Sequence, residues 1–170
     1  MFFLYILLVI VGIPFFVMLV SVLIGVPCLP THKKQAKILI ELCGIIPGTK
    51  LVDLGSGHGR LILLAAEQGA DVVGYELNPF LVLLSRYLIK RKGLSDKAKI
   101  YWRSLYKADI GNADVVTTFL FKMPMVKLGE GLFKQLKPGA KVVSYTFSIP
   151  GWQPIIQKEG ISVYEKTLTN

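Results

Sequence analysis

The sequence predicts an α/β fold, a doubly wound and mostly parallel sheet, preceded by an N-terminal transmembrane helix. Three observations carry this expectation. From position 33 onward, short apolar runs alternate with segments of helical spacing, the pattern of a parallel sheet with right-handed crossovers. The run Leu51-Val52-Asp53-Leu54-Gly55-Ser56-Gly57-His58-Gly59-Arg60 joins a strand-like end to a helical start through three alternating glycines. Residues 2 to 26 contain no charged side chain.

A continuous helix over that uncharged stretch would measure roughly 37 Å, enough to cross a hydrocarbon core of about 30 Å. The basic start and small-residue cleavage site of a signal peptide are missing, since Met1 leads into Phe2 and the run ends in Pro27-Cys28-Leu29-Pro30. The expectation is an anchor over residues 1–27, kinked at Pro14, and a single domain over 28–170. No Lys, Arg, Asp or Glu occurs before position 31, so the whole formal charge of +9 belongs to the domain. Lys33, Lys34 and Lys37 follow the span directly, which by the positive-inside rule places the domain on the cytoplasmic face of a single-pass membrane protein. Cys28 and Cys43 lack metal-type spacing and imply no disulfide framework, which fits a reducing compartment.

The elements follow in order. Thr31 is placed to cap a helix from Lys33 to about Cys43. Pro47-Gly48 turns the chain into a strand over Lys50–Leu54. A helix from Arg60 to Gln68 stops at Gly69, and a second strand runs from Asp71 to Glu76. Asn78-Pro79 opens a helix through about Lys92, with Gly93 beyond its end. The third strand is Lys99–Trp102. The fourth, Ala113–Phe119, is the near-continuous apolar run of a strand covered on both faces. Met125, Leu128, Leu132, Phe133 and Leu136 recur at helical spacing until Pro138-Gly139. Lys141–Thr146 is the fifth strand, and Ile155–Thr167 reads as two short strands around Glu159-Gly160.

A ligand of such a sheet sits beyond the carboxyl ends of the strands, where Asp53, the glycine turn and Glu76 converge. The glycine spacing then selects among ligands. A dinucleotide site uses Gly-x-Gly-x-x-Gly, because a pyrophosphate must rest on the helix N-terminus. Here the spacing is Gly-x-Gly-x-Gly, Asp53 stands two residues before the first glycine, and Glu76 follows that glycine by 21 positions. A carboxylate at position 53 repels a diphosphate and suits an ammonium group. An acid ending the second strand accepts ribose hydroxyls. S-adenosylmethionine combines an adenosine, a sulfonium and an amino-acid end, with no phosphate. A glycine turn without a ligand, or a nicotinamide site, are the readings that stand beside it. No metal-ligand set and no catalytic side chain is singled out.

These residues resemble class I S-adenosylmethionine-dependent methyltransferases, whose Rossmann-like fold begins with such a glycine turn. Leu29-Pro30-Thr31, Gly74-Tyr75-Glu76-Leu77-Asn78-Pro79, Ala113-Asp114-Val115-Val116 and Thr146-Phe147-Ser148-Ile149-Pro150-Gly151-Trp152 narrow the likeness. Together they resemble the membrane-anchored protein-lysine methyltransferases, whose mitochondrial members modify the ADP/ATP carrier and the ATP synthase c-subunit, so that in a eukaryote the resemblance implies a mitochondrial membrane. The likeness covers about residues 29 to 153. It implies that Asp53, Gly55, Ser56, Gly57 and Gly59 shape the methionine end of the pocket and that Glu76 holds the ribose. Leu77 and Asn78 would border the adenine, with Ser104 accepting from its amine or Trp102 stacking on it. Two departures stand out. His58 occupies a place where the family commonly has an acid, and Tyr101-Trp102-Arg103-Ser104 lacks the acid often found after the third strand.

The implied activity is methyl transfer from S-adenosylmethionine to a lysine of a membrane-associated protein. Strand four ends in Phe119-Leu120-Phe121-Lys122-Met123-Pro124, without the Asn/Asp-Pro-Pro-Tyr/Phe run that orients planar amide or base nitrogens. Phe119 and Phe121 could instead wall a slot for an amine by cation–π contact, or simply pack as apolar strand ends. The expected partners are a membrane protein and an anionic lipid surface, the latter met by Arg86, Lys90, Arg91, Lys92, Lys97, Lys99, Arg103 and Lys107. No nucleic acid is expected, and oligomeric state is left open. A methyltransferase for a quinone or isoprenoid, and a non-catalytic nucleoside-binding module, are the rival readings.

Overall fold

The computed structural model describes residues 2, 3, 5–12 and 33–167. Strands β1 (Lys50–Leu54), β2 (Asp71–Glu76), β3 (Ala98–Trp102), β4 (Val115–Thr118), β5 (Lys141–Tyr145), β6 (Ile156–Lys158) and β7 (Ile161–Glu165) form one sheet. Their order is β3-β2-β1-β4-β5-β7-β6. The first five run parallel, and β7 lies antiparallel between β5 and β6. Strand order reverses between β1 and β4, so a crevice opens at their carboxyl ends.

Helices α1 (Lys33–Cys43), α2 (Arg60–Glu67) and α3 (Pro79–Arg91) cover one face. There Leu39, Ile62, Val82 and Ile89 join a core with Val72, Ile100, Val143 and Val163. The other face is covered by α4 (Lys122–Glu130) and the 3₁₀ segment Leu132–Gln135, whose Met125, Leu128 and Phe133 meet Val52, Val116, Val142 and Tyr164. All four residues of β4 are buried, so its sequence shows no polar alternation.

The expected strands and helices are present with shifts at their ends, and two expectations are corrected. The predicted single helix through Met125 and Leu136 is two pieces, broken at Gly131 with φ −123° and ψ −84°. Apolar spacing of three residues serves an α-helix or a 3₁₀ turn equally, so the pattern could not reveal the break.

The transmembrane helix is the second correction. Among the described residues, no helix is long and apolar enough to cross a membrane. The helical residues 5–12 are apolar and exposed, and eight residues rise only about 12 Å. The expectation took an uncharged run as a measure of helix length, whereas hydropathy reports only the absence of charge. The placement of the domain on a cytoplasmic face, derived from that span, falls with it. The remainder of the expected span, the connector Pro27 to Thr31 and the Thr31 cap lie outside the described residues.

Candidate active site

β1 and β2 end side by side, and the turn between β1 and α2 folds across them. Gly55, Gly57 and Gly59 have φ of 82°, 55° and 80°, a left-handed region that a Cβ disfavours. The Gly55 and Ser56 N–H groups donate to the Tyr75 carbonyl at 2.9 and 3.1 Å, pinning the turn to β2. A Cβ at position 55 would lie 3.3 Å from Leu120, and one at position 59 would lie 3.1 Å from Ser85. Ser85, fully buried on α3, donates to the Gly57 carbonyl at 3.0 Å. Helix α3 thus supports the turn from behind.

Glu76, half-buried, closes β2. Gly57 N–H donates to its Oε2 and Asn78 N–H to its Oε1, both at 2.8 Å. A carboxylate offers about four acceptor positions, so each oxygen keeps capacity for one hydroxyl of a vicinal diol. Asn78 caps α3, its Oδ1 accepting from the Phe80 and Leu81 N–H groups at 3.0 and 3.4 Å. The neighbouring Leu77 is exposed, and its carbonyl accepts from the Trp102 indole at 2.9 Å. The indole is therefore tied to the end of β2. Ser104 is half-buried at the start of the 3₁₀ turn Leu105–Lys107, and its side chain makes no capping bond there.

Parallel pairing sets Asp53 beside Thr117. The Thr117 hydroxyl donates to Asp53 Oδ1 at 2.7 Å, and Asp53 is 3% exposed. Burial pushes the carboxyl up to about 7, the Thr117 hydrogen bond opposes the rise, and the charge of Glu76 adds to it. A carboxyl poised near neutrality ionises when a cation is placed against it. His58, in the turn, is held below its ordinary value by partial burial and by Arg60. It stands where the resembling family commonly has an acid.

Two supporting residues escaped the sequence, Thr117 and Ser85, and the close packing around Gly74 escaped it too. A Cβ at Gly74 would lie 2.7 Å from Ile100 Cδ1, 2.8 Å from Ser56 Oγ and 2.9 Å from Ile62 Cδ1. Overpacking of this kind costs about 1–3 kcal/mol. Gly74→Ala is expected to lose stability on that scale in urea unfolding and to displace Ser56, whose Oγ is buried without a hydrogen-bond partner among the described residues. An unchanged unfolding midpoint would contradict the close approach.

At and just beyond the carboxyl ends of β4 and β5 lie four aromatic residues, with Phe119 facing Tyr145 and Phe121 facing Phe147 at ring-centroid distances of 4.7 and 5.5 Å. The donor set thus consists of one buried carboxyl, one carboxylate with free acceptor capacity and a turn held in left-handed backbone. That chemistry fits the ammonium and ribose of S-adenosylmethionine, and it offers a diphosphate two acids to repel it.

The architecture and this turn define a methyltransferase of the Rossmann-like class. A crystal structure of an RNA methyltransferase from Salinibacter ruber in complex with S-adenosyl-L-homocysteine aligns with a TM-score of 0.75 and 38% identity, covering 82% of this chain and 94% of that one. The chain belongs to the family described as the ANTKMT methyltransferase domain, which it matches over residues 53–156. The human lysine N-methyltransferase of the ATP synthase c-subunit is 37% identical over 128 residues, 75% of this chain and 54% of that protein. A protein-lysine N-methyltransferase of Saccharolobus islandicus is 34% identical over 147 residues, 85% of this chain and 89% of that protein. Mouse adenine nucleotide translocase lysine N-methyltransferase is 37% identical over 131 residues, 76% of this chain and 57% of that protein. The chain spans about half the length of the mammalian relatives. Family membership agrees with the resemblance seen in the sequence.

Proposed function

We propose that this chain transfers a methyl group from S-adenosylmethionine to a lysine side chain of a membrane-associated protein. The observation that carries the reading is the juxtaposition of an acid–glycine–acid donor site with an aromatic rim that lacks any amide-orienting motif. Glu76 holds the ribose hydroxyls with the acceptor capacity left after Gly57 and Asn78, and Asp53 receives the ammonium. The turn of Gly55, Ser56, Gly57 and Gly59 lies along the methionine end. Leu77, Asn78 and Ser104, with the fixed Trp102 indole, border the adenine.

Bound S-adenosylmethionine supplies a methyl group already activated on a sulfonium. The protein's remaining tasks are to align the amine and to exclude water. A lysine has a reference pKa of about 10.4 and must arrive deprotonated. Desolvation and the positive charge of the neighbouring sulfonium both favour the neutral amine, so no side-chain base is needed.

Relatives that bear lysine N-methyltransferase names, two of them named for membrane proteins, support the acceptor class. So does the surface of α3. Phe80, Leu83, Leu84 and Tyr87 are exposed along one stripe, Lys90 and Arg91 follow, and no acidic residue occurs from 77 to 95. An apolar stripe with a cationic end suits an anionic lipid surface around such an acceptor.

The test supplies methyl-labelled S-adenosylmethionine to the chain with a membrane fraction. Label in acid-precipitable, protease-sensitive material is expected. Label recovered in organic solvent would favour a quinone or isoprenoid acceptor. Label lost on ribonuclease treatment would favour RNA, the substrate named for the Salinibacter relative. Absence of all labelling would leave a binding module.

A further inference from the structure

Two aromatic residues leave β4 and two leave β5 in matching register. Thr118 pairs with Ser144, after which Phe119 meets Tyr145 and Phe121 meets Phe147. Leu120, between the two phenylalanines, lies against the donor turn, where a Cβ on Gly55 would come within 3.3 Å of it. This aromatic ladder therefore flanks a residue that touches the donor turn.

Its outer rung depends on a backbone bend that the local sequence resists. Thr146 has φ 77°, an outlier for a β-branched residue. The Phe147 N–H donates to the Tyr145 carbonyl at 3.1 Å, which closes a three-residue turn of the strained γ type. Two further bonds hold it. Thr146 N–H donates to the Gly160 carbonyl at 2.8 Å, and Ser144 Oγ donates to the Phe147 carbonyl at 2.6 Å. Strain persists only where surrounding contacts impose it, and it gathers at ligand sites. An extended φ at 146 would break the Phe147–Tyr145 bond and with it the register that sets Phe147 opposite Phe121.

We infer that Phe121 and Phe147 form the specificity wall of the acceptor slot, and that the Ser144–Thr146 turn is the positioning device that sets Phe147 in it. The slot takes an alkylamine or alkylammonium in preference to a planar amide or base. A base sandwiched between two rings needs centroids about 7 Å apart, twice a carbon–carbon contact. At 5.5 Å with 41° between the planes, Phe121 and Phe147 leave no such gap. They present instead a continuous aromatic surface, which attracts a cationic nitrogen and its methyl groups.

The inference rests on the lysine reading of the acceptor, and its test separates the two. n-Butyltrimethylammonium, the side chain of a fully methylated lysine, is titrated into the full chain and followed by ligand-observed NMR. The wild type is expected to bind it and to ignore propionamide. Phe121→Leu and Phe147→Leu should each weaken binding about fivefold or more, whereas Phe147→Tyr should retain it. Ser144→Ala should weaken it and raise the KM for a lysine peptide with kcat little changed. None of these variants should alter the affinity for S-adenosyl-L-homocysteine. Unchanged probe binding in both leucine variants, or a parallel loss of S-adenosyl-L-homocysteine affinity, would overturn the wall. If probe binding needs both rings but no lysine is methylated, the slot stands and the lysine reading fails. If lysine is methylated with KM unaltered in both leucine variants, the reading stands and the slot fails.

Discussion

Glu76→Ala is expected to weaken the binding of S-adenosyl-L-homocysteine by about 10²–10⁴-fold in titration calorimetry. Hydrogen bonds to a charged group contribute about 1.5–3 kcal/mol each, and two ribose hydroxyls are lost together. The variant also frees the Gly57 and Asn78 N–H groups that Glu76 accepts at 2.8 Å, so the glycine turn and the start of α3 lose their common tie. Glu76→Gln keeps the shape and one acceptor oxygen, and should fall between the two. Equal affinity in wild type and Glu76→Ala would mean that the ribose is not held at the end of β2.

The second large effect is a dependence on pH. Asp53, pushed up to about 7 chiefly by burial, is mostly neutral at pH 6 and mostly ionised at pH 8. Only the ionised form attracts an ammonium, so affinity should rise with pH through this window, by about tenfold between 6 and 8. Binding near pH 7 should also release a proton, visible as a dependence of the heat on the buffer. Asp53→Asn preserves an acceptor for the Thr117 hydroxyl but removes the titration. It should bind more weakly at pH 8 and show a flattened profile. A wild-type slope retained in Asp53→Asn would assign the proton to another group.

Much of this site was legible because its parts are local in sequence. Asp53, the three glycines and Glu76 each close or follow an apolar run, so strand ends and ligand-facing residues could be read together. Asn78-Pro79 announced α3 through cap chemistry alone. What stayed hidden depends on residues distant in the chain. Thr117 reaches Asp53 across 64 positions. The close approach of Ser56, Ile62 and Ile100 to Gly74 likewise joins residues far apart in the chain. The rung of Phe121 and Phe147 needs the register of β4 against β5, and Thr146 carries no sequence signal for a positive φ. The misread span had a different origin, since hydropathy counts the absence of charge and does not require a helix to continue.

The central claim is that a donor site built on Asp53 and Glu76 delivers a methyl group to lysine. Its most direct test is peptide mass spectrometry of membrane proteins from cells carrying the wild-type chain, the Glu76→Ala chain, or neither. The account predicts lysine peptides heavier by multiples of about 14 Da with the wild type alone. Lysine mass shifts that are identical in all three samples, or present equally with Glu76→Ala, would contradict it.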